Sequence, residues 1–173
     1  MFGFTNATLR VKMAWLLLSV SSSAYAGLEL SHVLEIPGKH RLDASQFLAV
    51  HHNFYLGYAV VGAASAFMTI FASAYLVYEI QETTARVAAG VPALCFIGAL
   101  ILFAAVLQPA NTQISSWSPD ALPPAWQDVR NRWEAAHAAC FVLTVVGYLS
   151  ALSIPALRAR DESRRGRVVT RSA

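Results

Sequence analysis

The sequence predicts an all-α integral membrane protein, an up-and-down bundle of four spanning helices. Three observations predict it. Of 173 residues, 56% are apolar and 13% charged, and a soluble domain carries about twice that share of charge. No Lys or Arg occurs between Leu42 and Ala85, between Val87 and Val129, or between Trp133 and Leu157, and each gap can hold the roughly 20 apolar residues of a span. The apolar runs are rich in Ala and Leu and lack period-two alternation, which favours helices over a barrel. The same composition excludes a disordered chain. Two Cys exclude a disulfide scaffold.

Span one is expected from Met13 to about Ile36. A secretory signal is a competing reading of its first half, because Arg10 and Lys12 precede an apolar run and Ala24-Tyr25-Ala26 has the small-residue spacing of a cleavage site. The polar series Glu29, His32 and Glu35 beyond it favours a retained helix. In the polar stretch from Lys39 to His52, Asp43-x-x-Gln46 has the form of a capping box. A helix therefore starts near Ala44, protrudes, and enters the membrane as span two, about Asn53 to Tyr78. Glu79 to Thr84 is a tight turn into span three, about Val87 to Leu107. The 109–132 connection is punctuated by Pro119, Pro123 and Pro124, and is read as an ordered loop. After Pro124 a helical period returns, with Trp126, Val129, Trp133, His137 and Cys140 on one broad face. Span four, about Trp133 to Leu157, therefore begins as an amphipathic helix outside the bilayer. Asp128–Arg132 and Arg130–Glu134 have i,i+4 spacing. Gly62-x-x-x-Ala66 and Gly147-x-x-x-Ala151 are spaced for close helix contact. Cys95 and Cys140 fall near opposite ends of their spans and are read as free thiols.

The chain thus divides into a four-span domain, 13–157, and a basic tail, 158–173, whose charge predicts disorder. Arg10, Lys12, Arg86 and the six Arg of the tail lie on one side of the membrane; Lys39, Arg41, Arg130 and Arg132 lie on the other. The positive-inside rule then places both termini in the cytoplasm, in a plasma or inner membrane. The tail's excess charge suits anionic headgroups rather than nucleic acid.

Ionisable residues are expensive inside a membrane and mark functional sites by default. Here they gather at the outer face: Glu29, His32 and Glu35 on span one, His51 and His52 before span two, Gln108 and Asn111 after span three, Glu134 and His137 on span four. Glu29-x-x-His32-x-x-Glu35 keeps three groups within about a third of the helix circumference, and Glu134-x-x-His137 does the same on span four. His32 and His137 come out at similar depth. His32, Glu35, His52 and His137 are the donors a single transition-metal ion would use. A metal-free site with His137 or His32 as general base is equally open. A haem held by the two His would lack a second pair for transmembrane electron transfer.

The stretch Gln108-Pro-Ala-Asn111, then Trp117-x-Pro119, Trp126 and Arg132-Trp133-Glu134-x-x-His137 resembles a small four-span membrane family that includes the fungal anthrone oxygenases. The Pro-x-Asn turn ending span three and the Arg-Trp-x-x-x-His run opening span four are its specific part. The resemblance covers about 30 residues, and the four-span layout covers most of the rest. It implies an oxygenase or oxidoreductase acting on a hydrophobic, often polyaromatic substrate, with Asn111, Trp133 and His137 in the site. The family pattern often places an Arg a few residues after that His, where this chain has Ala138, Ala139 and Cys140.

Two readings follow. In the first, the protein is an enzyme. Trp117, Trp126 and Trp133 wall a site for an apolar ring arriving from the bilayer. His137 or His32, with Glu134 nearby, handles the proton, and Asn111 and Gln108 donate to the developing oxyanion. In the second, the polar cluster locks helix register in a non-catalytic membrane subunit that assembles with itself or with a membrane partner.

Overall fold

Helix is the only regular structure in the residues that the computed structural model describes, 6–119 and 121–171. The elements are α1 (Asn6–Lys39), α2 (Ala44–Phe54), α3 (Leu56–Glu79), α4 (Thr83–Leu102), a π-helical turn (Phe103–Leu107), α5 (Gln108–Ser115) and α6 (Trp126–Arg171). Three helical stretches are long and apolar enough to cross a membrane: Gly57–Glu79, Thr83–Ser115 and Trp126–Asp161. α1 has the length, 34 residues, but its Ser21–Ser23 run and Glu29 dilute its apolar content below that of the other three. It turns those polar groups inward. Ser21, Ser22, Glu29 and His32 are buried, and Leu16, Leu17, Val20 and Leu34 are exposed.

α1 packs against α3 and α6, and α4 packs against the same two helices. Particular contacts fix the directions. Trp15 Nε1 donates to the Ala151 carbonyl at 2.9 Å, and Glu29 meets His137, so α1 and α6 run oppositely. Ser21 bonds Thr69 at 2.9 Å, with Tyr25 and Leu28 beside Gly62, so α1 and α3 do too. Ser73 Oγ donates to the Ala89 carbonyl and accepts from the Ala93 amide at 3.1 Å, which joins α3 to α4. That hydroxyl sits in the backbone ladder beside Pro92, where the helix already lacks a donor. Ser150 Oγ donates to the Ala88 carbonyl, and Cys140 lies against Ala99, which ties α6 to α4.

The capping box is present in full. Asp43 Oδ1 accepts from the Gln46 amide at 2.9 Å, and Gln46 Oε1 accepts from the Asp43 amide at 3.1 Å. The helix it starts ends at Tyr55, and a separate α3 begins at Leu56, so the expected continuous entry into span two is broken into two helices. Accepting the Gln46 amide, and then the Ser45 hydroxyl, holds the Asp43 carboxyl below the ordinary carboxylate range. A depressed folded-state pKa gives stability that is present above the unfolded value, about 4, and lost as pH falls through the folded one. The protection factors of the Gln46 and Phe47 amides are therefore expected to fall on acidification below about pH 4, and Asp43→Ala is expected to remove that pH dependence.

The Glu79–Thr84 turn stands as expected. Arg86 closes it, with Nε donating to the Ile80 carbonyl at 2.8 Å. Span three, in contrast, does not end at a Pro-x-Asn turn. Pro109 has no amide hydrogen to give the ladder and its ring crowds the preceding turn. The chain widens to a π turn, in which the Gln108 amide reaches the Phe103 carbonyl, and the helix continues to Ser115. α6 opens at Trp126, so the connection shortens to residues 116–125. Its backbone is held by turns such as Trp117 N to Ile114 O and Trp126 N to Pro123 O. Beyond Leu157, where charge suggested a disordered tail, α6 continues to Arg171. Ala, Arg and Glu are good helix formers, and propagating an existing helix needs no new nucleus.

Both small-residue pairs lie at helix contacts, with different tolerance. A Cβ at Gly147 would sit 3.2 Å from Cys95 Cβ and Phe96 Cε2 and 3.3 Å from Pro92 Cα. At Gly62 the nearest atom is Tyr25 Cε2 at 3.7 Å, an ordinary contact. Gly147→Ala is expected to destabilise by about 1–3 kcal/mol through overpacking, and Gly62→Ala to be near neutral, in denaturant titrations of the detergent-solubilised protein. Cys95 and Cys140 are free thiols.

Candidate functional site

The polar groups collect at one end of the helices, the end holding His32, and two tiers can be distinguished. The lower tier is a cavity of about 110 Å³ in the middle of the helix ring. α1 contributes Tyr25, Leu28, Glu29 and His32 to its walls, α3 contributes Tyr58, Ala59, Gly62 and Ala63, and α6 contributes Trp133 and His137. Tyr55, Leu100, Phe103 and Asn111 complete the lining. Helical spacing explains the set: Tyr25, Glu29 and His32 step by four and three, Trp133 and His137 by four, and Gly62 and Ala63 follow Tyr58 and Ala59 by four.

His137 Nδ1 and Glu29 Oε2 are 2.7 Å apart, both residues being buried. When Glu29 is ionised it accepts from Nδ1–H, which sets the tautomer and leaves Nε2 as the ring's acceptor. The His32 ring stacks on His137 with centroids 3.9 Å apart and planes 26° from parallel. Trp133, 1% exposed, closes the cavity towards the upper tier. Its ring lies 4.4 Å from His137, 5.1 Å from His32 and 5.5 Å from His51. Trp133 Nε1 donates to Asn111 Oδ1 at 2.7 Å. Since indole nitrogen can only donate, Asn111 presents its amide NH₂ for any further bond.

The upper tier is an ion pair within the end of α1 and a hydrogen-bond chain from there to the start of α6. Lys39 Nζ is 2.8 Å from Glu35 and lies over the Trp133 and Tyr55 rings at 4.7 and 5.0 Å. Burial lowers the Lys39 pKa against the pull of Glu35. The Tyr55 hydroxyl donates to Glu35 at 2.9 Å. Arg130, stacked on Trp126, contacts His40 Nδ1 at 3.4 Å. His40 then carries its proton on Nε2 and donates to Glu134 at 2.7 Å. Glu134 is thus paired with His40 across the helices, rather than with Arg130 one turn away. His51, on α2, is buried with neither ring nitrogen in a well-formed hydrogen bond; burial pushes its pKa down to about 4, so it is neutral at neutral pH.

Of the expected site residues, His32, Asn111, Trp133 and His137 line the cavity, and Glu29 joins them. Glu134 and Glu35 belong to the upper tier. Trp117 and Trp126 do not reach the cavity; both pack on the Phe47, Leu48 and Ile114 cluster, with Trp126 5.5 Å from Phe47. Gln108 is exposed on α5. His52 is exposed and reaches the Ile114 carbonyl at 3.3 Å. The donors His32, Glu35, His52 and His137 are therefore not brought to one point. The lone pairs of an imidazole lie in the ring plane, so the stacked His32 and His137 direct theirs side by side rather than at one ion. No group of three or more His, Cys, Asp or Glu is arranged to hold a metal among the described residues.

Tyr55, Tyr58 and Lys39 join the site without having been singled out by the sequence. Tyr55 and Tyr58 are i,i+3 and begin the small-residue face of α3, and Lys39 is i,i+4 from Glu35; these spacings are the signals that could have found them. No protein-family model, curated protein or solved structure matches the chain.

Proposed function

We propose that the chain is a four-span membrane oxidoreductase that oxidises a hydrophobic substrate with dioxygen in the His32/His137 cavity. The observation that carries this reading is the Glu29–His137 pair at 2.7 Å in the wall of a cavity lined mainly by aromatic and small apolar groups. A carboxylate-oriented imidazole in an apolar cavity is equipped to take a proton from an acidic C–H or a phenolic O–H. His137 Nε2 accepts that proton, and Glu29 stabilises the imidazolium. The enolate or phenolate oxygen left behind accepts a hydrogen bond from the Asn111 amide NH₂. A carbon that is conjugated with that oxygen and still bears a hydrogen then bonds dioxygen, two electrons pass from substrate to oxygen, and the proton on His137 returns to give a hydroperoxide. Loss of water from that hydroperoxide leaves a carbonyl.

The inward polar and outward apolar faces of α1 support counting it as the fourth span, in an up-and-down bundle. The basic residues near the two termini support placing both in the cytoplasm. The resemblance to the anthrone-oxygenase family points to the same chemistry. A non-catalytic membrane subunit is the second reading, favoured by the upper tier, whose polar groups are spent on one another and pin α1 to α6. Oxygen uptake by the protein purified in mild detergent, with anthrone and with single-ring phenols, tests the two. Substrate-dependent uptake that disappears in His137→Gln supports the enzyme. Absence of uptake with every substrate, together with a stoichiometric membrane protein co-purifying, overturns it.

A further inference from the structure

Three features of the cavity restrict what it can hold and how that molecule arrives. Size is the first. An apolar cavity of about 150 Å³ takes one benzene, and this one is about 110 Å³. Its enclosed part is therefore no larger than a single six-membered ring needs and too small for three fused rings, so the remainder of a larger ligand lies in the opening.

Closure above is the second. Trp133 and Tyr55 cover the cavity, Lys39 lies over both rings, and the pairs Glu35–Lys39 and His40–Glu134 stand beyond them. A substrate entering from that end would have to break the Glu35–Lys39 ion pair and the His40–Glu134 hydrogen bond and displace a buried indole.

The third is a side opening. α3 and α4 meet at their Ile80 end, through Ser73 with Ala89 and Val77 beside Gly90. At the other end they flank the cavity instead, with Ala59, Gly62 and Ala63 on one side and Leu100 and Phe103 on the other. Ala59 and Ala63 line the cavity and are also exposed on the outer surface of α3. The seam thus runs from cavity to surface between side chains without a polar atom, on helices apolar enough to lie in lipid.

We infer that the site takes a phenol-class lipid, a single hydroxylated ring carrying an apolar tail, which enters sideways from the bilayer and leaves its tail in the seam between α3 and α4. The ring lies between Trp133 and the small face of α3, and its hydroxyl meets His137 Nε2 and the Asn111 amide. This deepens the oxidoreductase reading by naming the substrate class of the same cavity.

The test uses the full chain in nanodiscs and a 4-alkylphenol with a photoreactive diazirine on the tail, the adducts being located by peptide mass spectrometry. Labelling is expected on α3 around Ala59 and Ala63 and around Leu100–Phe103. Excess unlabelled 4-octylphenol is expected to compete, and anthrone to compete poorly. Ala63→Trp, at an exposed position that spares the packing, is expected to lower the saturable label about tenfold, equivalent to ~1.4 kcal/mol of binding. Label spread evenly over all lipid-facing helices without competition overturns the proposal. So does label confined to α5 and the start of α6, or anthrone competing as well as octylphenol. Oxygen uptake on the same samples separates this inference from the reading beneath it. Saturable seam labelling without uptake upholds the phenol-class site and removes the oxidation chemistry. Uptake without seam labelling keeps the chemistry and removes the site assignment.

Discussion

His137→Gln is expected to lower substrate-dependent oxygen uptake by about 10²–10⁴-fold, the usual contribution of a positioned general base. Gln keeps much of the shape of the imidazole and can still bond Glu29, but it cannot accept a proton. The loss should therefore appear in kcat, with KM little changed. Glu29→Gln acts through His137: it removes the acidic group that, when ionised, sets the tautomer and stabilises the imidazolium. Its kcat is expected to fall less than that of His137→Gln, and the double variant to be no worse than His137→Gln alone. Independent, additive losses would show that Glu29 does something other than position His137.

Trp133→Ala is expected to be the most destabilising single substitution, at about 3–5 kcal/mol for a large aromatic removed from a packed centre. The indole touches three His rings and Tyr55, lies under the Lys39 ammonium, and donates to Asn111. Trp133→Phe keeps a ring in place and deletes chiefly the donor to Asn111, so its cost should be nearer ~1–3 kcal/mol. Denaturant titration in detergent gives both values. Equal losses for the two variants would mean that the hydrogen bond, and not the ring, holds this end of the helices together.

The all-helical class was legible because the gaps between charges are long and lack alternation, and the α2 cap was legible because Asp43 and Gln46 carry it locally. Convergence of Glu29, His32 and His137 was also readable, since i,i+3 spacing and an even alternation of spans put them at one end. Three things were not. The fate of Pro109 depends on whether the chain turns or widens, and a π turn leaves no compositional mark. Trp117 and Trp126 look like site aromatics by type, yet they are drawn to Phe47 and Leu48 on α2, whose docking is a long-range contact. The partner of Glu134 is hidden for a similar reason. Arg130 is its neighbour along the helix, but His40, 94 residues away, has the better geometry.

The π turn at Phe103–Leu107 also sets a phase. Each residue turns an α-helix by about 100°, and a π turn admits one extra residue into the ladder without ending it. Wound as an uninterrupted α-helix, the same residues would carry Asn111 about 100° past Trp133; the π turn absorbs the extra residue and keeps Asn111 on the indole. Deleting any one residue from 103–107 removes the extra residue, returns the segment to α periodicity and leaves Asn111 facing the indole, whereas inserting one more turns Asn111 away by about 100°, even though no side chain of the site has been altered. The reach of α5 into the cavity is therefore encoded as a residue count, and in this short apolar stretch a one-residue deletion should be tolerated far better than a one-residue insertion.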